Sequence, residues 1–221
     1  MGHGVRAIFD QEFEQLRHSL LDMGQQVDIA ISQSLQALSG RDIKLAEKII
    51  SDDTGINKLR FQIEEGCLAL IATQQPAASD LREIIAILYM VVEMERMGDY
   101  AAGIAKTVIL MEEEPLLKTF KKIPKMGEIC RKMLADCLEA FQSRDATWAR
   151  EIATRDNTID EMYEDVFHRL IKTMAKDTDL ITRCTYLMWC AHNLERIADR
   201  VTNIAEQIIF MTTGMIGEIK G

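Results

Sequence analysis

The chain has 221 residues, 48% of them hydrophobic, and carries a formal net charge of −9 from 35 acidic and 26 basic side chains. That sign excludes a nucleic acid as the expected partner, because a phosphate backbone is bound through an excess of Lys and Arg, while hard cations or the basic face of another protein suit it. No apolar run is long enough to cross a bilayer and no signal peptide precedes the first amphipathic segment, so a soluble cytoplasmic protein is expected.

Helices account for the whole pattern. The only three prolines are Pro76, Pro115 and Pro124, all outside the periodic apolar segments, and no stretch alternates strictly enough for a strand. Helix 1 is predicted over Val5 to Ser39, with a turn at Gly40. Helix 2 runs from Asp42 to Thr73 and is followed by a loop over Gln74–Ser79. Asp80 is the expected N-cap of helix 3, with Glu83 completing a capping box, and that helix runs to about Glu112. The charge cluster ending in Pro115 marks the expected boundary between residues 1–114 and 115–221. Helices 4, 5 and 6 are expected over 118–142, 145–176 and 178–212. The fold class is therefore all-α, with six long antiparallel helices in two three-helix bundles. A thirty-residue helix rises about 45 Å, so an elongated molecule is expected.

The two halves are copies of one another. Met23/Met126, Gly24/Gly127, Leu35/Leu138, Arg41/Arg144, Asp42/Asp145, Ile49/Ile152 and Asp53/Asp156 match at one offset. After the Gln74–Pro76 loop the offset shortens by three, and Glu95-Arg-Met-Gly-Asp99 matches Glu195-Arg-Ile-Ala-Asp199. The period suits a small domain, and the bundles should be pseudo-symmetric.

Each five-residue motif falls on an apolar stripe. At ~100° per residue, Ile84, Leu88, Val91 and Ala102 share a face with Glu95 and Asp99, and Cys184, Met188, Ala191 and Thr202 share one with Glu195 and Asp199. Carboxylates so placed repel one another and lose hydration unless cations neutralise them. Two such pairs in matching positions point to a repeated cation site. Asp53 and Asn57 on helix 2, and their counterparts Asp156 and Asp160 on helix 5, would complete an all-oxygen shell suited to Mg²⁺, Mn²⁺ or iron. Glu206 continues the Glu195 stripe as a further candidate ligand, while its counterpart is Lys106, so the second site should be the more acidic and bind more cations. His192 lies one turn from Glu195 and reads as a surface histidine that could reach the second site, whereas Val92 holds its place in the first. Arg96 and Arg196 lie about 100° from their glutamates and should border the sites or bridge to another helix. His168 and Asp165 should face solvent.

Five cysteines, odd in number and without a C-x-x-C pair, read as buried free thiols in a reducing compartment. No Gly-rich phosphate loop and no nucleophile–base arrangement occurs, so no catalytic residue is expected. Two alternatives stand beside a cation-binding protein. One is a structural helical scaffold whose carboxylates sit in salt bridges. The other is a di-iron carboxylate enzyme, which would need repeated E-x-x-H motifs that are missing here.

The paired motifs Glu95–Asp99 and Glu195–Asp199 resemble the E/D-x-x-x-D signature of the PhoU family. So do the Met-Gly pairs at 23/24 and 126/127, the Gln75-Pro-x-x-Ser-Asp-Leu-Arg82 segment and Asn203-Ile-Ala-Glu206. The similarity runs essentially from end to end. It implies two three-helix bundles with metal ions at the motif faces, as multinuclear iron clusters or with magnesium or manganese. It also implies a negative regulator of phosphate uptake and phosphate-regulon signalling, acting between an ATP-driven (ABC-type) phosphate transporter and a sensor histidine kinase. A homodimer is a further expectation. The departures are Ala198 opposite Gly98 and Lys106 opposite Glu206, which bear on whether the two sites fill equally.

Overall fold

The computed structural model describes residues 2–111, 117 and 121–215, with side chains from Ala7 onward. Every regular element among them is helical: α1 Gly2–Gly40, α2 Ile43–Gln74, α3 Ala78–Met111, α4 Lys122–Ser143, α5 Ala146–Ala153, α6 Asp156–Lys176 and α7 Ile181–Thr213. A short 3-10 turn, Thr178–Leu180, leads into α7. At 39 residues, α1 rises about 58 Å and sets the long dimension. No helix among the described residues is long and apolar enough to cross a membrane. The expected boundary at Glu112–Pro115 lies outside the described residues.

Matched residues make matched turns. The turn expected at Gly40 is made one residue later: Gly40 ends α1, and Arg41 takes the left-handed conformation at φ 53°. Its counterpart Arg144 ends α4 at φ 55°. The following aspartates cap the next helices. Asp42 accepts the Leu45 amide at 3.0 Å, and Asp145 accepts the Thr147 and Trp148 amides, both at 2.9 Å. Each cap satisfies amides that the helix itself cannot, a contribution of about 1 kcal/mol.

The core is built about a pseudo-dyad. Glu93 accepts hydrogen bonds from Arg200 and Asn203, each at 3.0 Å, while Gly103 faces Asn193. The numbering runs in opposite senses, so α3 and α7 pack antiparallel, and the contacts 93–203 and 103–193 are repeat-equivalent. The same reciprocity joins α1 to α4. A Cβ on Gly24 would lie 2.7 Å from Leu138, and one on Gly127 would lie 2.3 Å from Leu35. These contacts explain the matched Met-Gly pairs, because only glycine lets the other repeat's leucine approach so closely. Asp28 and Arg131, also repeat-equivalent, meet on the axis in a bidentate pair at 2.8 and 2.9 Å. The buried apolar side chains of both halves form one continuous cluster, and each fully buried Leu or Ile in it contributes about 1.5–3 kcal/mol. All five cysteines are buried free thiols, as expected.

Two local expectations are corrected. Helix 5 is not one rod: α5 and α6 are separated at Thr154–Arg155, where the Arg155 amide reaches back only three residues to Ile152 at 3.0 Å. No Pro or Gly marks the break. It lets Arg155 bond Asp136 on α4 and stack 4.8 Å over the Trp148 ring. The capping box at Asp80 and Glu83 is not made either. α3 starts at Ala78, and Glu83 is buried, where Arg17 and Arg144 satisfy its carboxylate instead.

Candidate functional site

The first cluster lies between α2 and α3. Glu95, with its side chain 16% exposed, accepts Arg60 Nη1 at 3.1 Å, and Arg60 Nε is held by Glu64 at 2.9 Å. Asp99 is exposed. Asp53 is raised above the usual carboxylate range by burial and by the charges of Asp99 and Glu95, with Lys106 and Asn57 opposing. The Asn57 amide nitrogen donates to Asp53 Oδ2 at 3.3 Å. Gly98 lets these residues meet, since a Cβ there would lie 3.1 Å from Asp53 Oδ1 and from Ile56. A cavity of about 280 Å³ opens beside Asp53, Ile56 and Gly98.

The second cluster is its counterpart between α6 and α7, and it is more acidic. Glu195 is buried, at 8% exposed. Burial pushes Asp156 up to about 6, reinforced by Asp160, Asp199 and Glu195. Burial likewise raises Asp160, with Glu195 and Asp199 adding to the shift. Asp199 is also raised: its burial and the nearby Glu195 outweigh the opposing influence of Arg196, Arg200 and His192. One oxygen of Asp156, Oδ1, is buried with no hydrogen-bond partner. The break between α5 and α6 makes Asp156 the first residue of α6, where the positive end of the helix dipole partly offsets its charge.

The arginines behave differently from their spacing. Arg196 does not border its site. It grips it, with Nε 2.6 Å from Glu195 Oε2, Nη2 on Glu195 Oε1 and Nη1 2.9 Å from Asp199. The long side chain turns back through the ~100° that separates the two Cβ directions. Arg96 instead pairs with Glu93 at 3.4 Å, Glu93 with Arg200 at 3.0 Å, and Arg200 approaches Asp199 at 3.9 Å. A chain of ion pairs thus crosses the α3/α7 seam into the second cluster. His192 is exposed, with Nδ1 3.5 Å from Glu195 and its ring 6.0 Å from that of Tyr163. About two turns of α7, roughly 10 Å of rise, separate Glu206 from Asp199. His168 is exposed, and Asp165 pairs with Lys122 and Arg169.

Sequence spacing thus brings Asp53 and Asn57 to Glu95 and Asp99, and Asp156 and Asp160 to Glu195 and Asp199. It missed Arg60 and Glu93, whose contacts with Glu95 and with Arg200 and Asn203 cross to other helices. Among the described residues no three His, Cys, Asp or Glu side chains stand together as a metal ion would need them. The donor chemistry nevertheless fits a hard cation. The oxygens are carboxylates, those of Asp53, Asp156, Asp160 and Asp199 raised by burial and like charge, one is unpartnered, and guanidinium groups stand where positive charge is wanted.

The PhoU domain matches the chain twice, over residues 20–108 and 123–208. The chain is 37% identical to a "phosphate-specific transport system accessory protein PhoU homolog" of Rhizobium meliloti over 97% of its own length and 91% of the relative's. Its fold overlays the crystal structure of PhoU from Pseudomonas aeruginosa with TM-score 0.90 and 35% identity, covering 94% of this chain and 100% of that one. It overlays the phosphate transport system regulatory protein PhoU from Streptococcus pneumoniae with TM-score 0.89 and 37% identity, over 95% and 99% of the two chains. With the doubled motif, the reciprocal repeat contacts and these likenesses end to end, the chain belongs to the PhoU family.

Proposed function

We propose that the chain is a metal-binding cytoplasmic regulator that holds back phosphate uptake and phosphate-responsive signalling without catalysing a reaction. Its partners in this reading are the ATPase subunit of an ABC-type phosphate transporter and a phosphate-sensing histidine kinase, and it acts as a homodimer. The names of its relatives, accessory proteins of phosphate-specific transport, support the pathway. The observation that carries the metal reading is the pair of repeat-related carboxylate clusters in which the matched Asp53 and Asp156 are both raised by burial and by neighbouring carboxylates. Glu95, Asp99, Glu195 and Asp199 would hold the ions, with Asp53, Asn57, Asp156 and Asp160 behind them; iron, magnesium and manganese all suit oxygen ligands. A bound cation supplies only positive charge. The carboxylates then present a neutralised surface to a partner in place of a repulsive one.

The test is metal content by mass spectrometry of the protein and of the Glu195→Ala/Asp199→Ala double variant. Metal that falls in the variant supports the reading, and equal metal in both sinks it. The pathway is tested by deleting the gene and measuring phosphate uptake and alkaline phosphatase in rich phosphate, where normal repression would count against the proposal. One observation favours a second reading. Arg60 and Arg196 already pair with the motif carboxylates, as a scaffold stabilised without metal would have them. Thermal unfolding with and without EDTA separates the two readings, because an ion bound only by the native state raises the melting temperature.

A further inference from the structure

The repeat-equivalent arginines Arg96 and Arg196 occupy different places. Arg96 leaves its motif and pairs with Glu93, half-exposed. Arg196 turns all three guanidinium nitrogens onto its own motif, two on Glu195 and one on Asp199. A planar guanidinium satisfies carboxylates in this forked manner particularly well. In the first cluster Arg60 comes from the neighbouring helix, touches Glu95 with one nitrogen and is anchored independently by Glu64. Among the described residues Asp99 has no ion-pair partner. At the second cluster the position matching Arg60 is Tyr163, so no cation arrives from α6.

We propose that Arg196 is an intramolecular competitor at the second carboxylate cluster, occupying the Glu195 and Asp199 oxygens that a cation would take and so setting that cluster's affinity. The inference rests on the metal reading above. A hard cation needs oxygens at about 2.0–2.6 Å in its own shell. It cannot share the same lone pairs with an N–H group lying 2.6 Å away, and the two positive charges repel. Loading the cluster therefore requires Arg196 to leave, and its side chain, 36% exposed, has a route into solvent. Its departure also removes a cation from Asp199, the residue through which the seam network of Arg200, Glu93 and Arg96 reaches this cluster. Clearing the first cluster is easier, because Arg60 keeps Glu64 when it releases Glu95. The two repeats consequently differ in affinity through their counter-ions as well as their ligands.

The experiment titrates the EDTA-stripped full-length protein with Mn²⁺, following free Mn²⁺ by electron paramagnetic resonance. Wild type is compared with Arg196→Met, Arg196→Lys, Arg96→Met and Glu195→Ala/Asp199→Ala. Arg196→Met should tighten one class of sites by about tenfold or more, the factor that ~1.4 kcal/mol of guanidinium–carboxylate interaction represents. The number of sites should not change. Arg196→Lys, with a single-point charge, should fall between, and Arg96→Met should match wild type. An affinity unchanged or weakened in both Arg196 variants overturns the proposal. Should Arg196→Met misfold, as circular dichroism would reveal, Arg196→Lys decides alone. Mn²⁺ binding that survives intact in the double variant overturns the metal reading at this cluster, and the inference with it. No binding by any protein has the same consequence. Wild-type binding that the double variant loses, without tightening in the Arg196 variants, overturns the competitor alone.

Discussion

Glu83→Gln should loosen the end of the molecule where the two repeats are tied together. The Glu83 side chain is 3% exposed and accepts Arg17 Nε at 2.5 Å and Arg17 Nη2 at 3.0 Å, with Arg144 on its second oxygen. Arg17 belongs to α1 and Arg144 to the turn after α4, so one carboxylate on α3 joins three elements from both repeats. The hydrogen bond to Glu83 is the main reason that the Arg17 guanidinium holds its proton more tightly than usual. The Phe13 ring, 4.3 Å away, lies beneath it. Removing one partner of a buried pair costs about 3–5 kcal/mol because the other charge is stranded. Here Arg17 and Arg144 are 27% and 48% exposed, so water recovers part of that and roughly 2–3 kcal/mol remains. For a chain of this size the loss corresponds to a melting temperature lower by about 5–10 °C. Urea and thermal unfolding followed by circular dichroism at 222 nm measure it, with a double-mutant cycle to Arg144→Met. A Glu83→Gln protein within about 0.5 kcal/mol of wild type, or additive single effects, would refute the claim that this ion cluster clamps the repeats.

Further expectations follow from packing, charge and metal. Gly127→Ala drives a Cβ into Leu35 and should destabilise by roughly 1–2 kcal/mol after a helix-propensity gain near 1 kcal/mol. Adding Leu35→Ala should recover part of that loss, and additivity in denaturant titrations would argue against the reciprocal α1/α4 contact. Asp156 takes up its proton near pH 6 in the folded protein but near pH 4 when unfolded. Its contribution is therefore fully present below about pH 4 and is lost as pH rises through about 6. Metal-free protein should gain about 1 kcal/mol over Asp156→Asn on going from pH 7 to pH 4, a value discounted for the half-exposed site. A pH-independent difference between the two proteins would contradict the raised carboxyl. Chelation of loaded protein should lower its melting temperature at pH 7, and the Glu195→Ala/Asp199→Ala variant should respond less. Equal responses would place the ion elsewhere.

Fold class and duplication were legible in the chain because they rest on local periodicity and on residues repeated at a fixed offset. Asp42 and Asp145 cap helices by a rule confined to one turn of chain. Asp53, Asn57, Asp156 and Asp160 could be placed beside the motifs because the i, i+4 spacing and the repeat together select one face of each helix. The α5/α6 break carried no such mark. It arises where Arg155 reaches Asp136 and Trp148, a choice made by packing against α4. Glu83 shows the same limit, since its spacing from Asp80 satisfies the capping-box rule while its burial brings it two arginines from distant parts of the chain.

By itself, the sequence determined that the protein is two copies of a three-helix unit, each with carboxylates on an apolar stripe, because helix periodicity and duplication are written along one dimension. Only the tertiary structure decided which cation stands by which carboxylate. Long arginine side chains can turn back on their own motif, as Arg196 does, or leave it for a neighbour, as Arg96 does. That choice depends on which helices lie within reach, and spacing along one helix does not contain it.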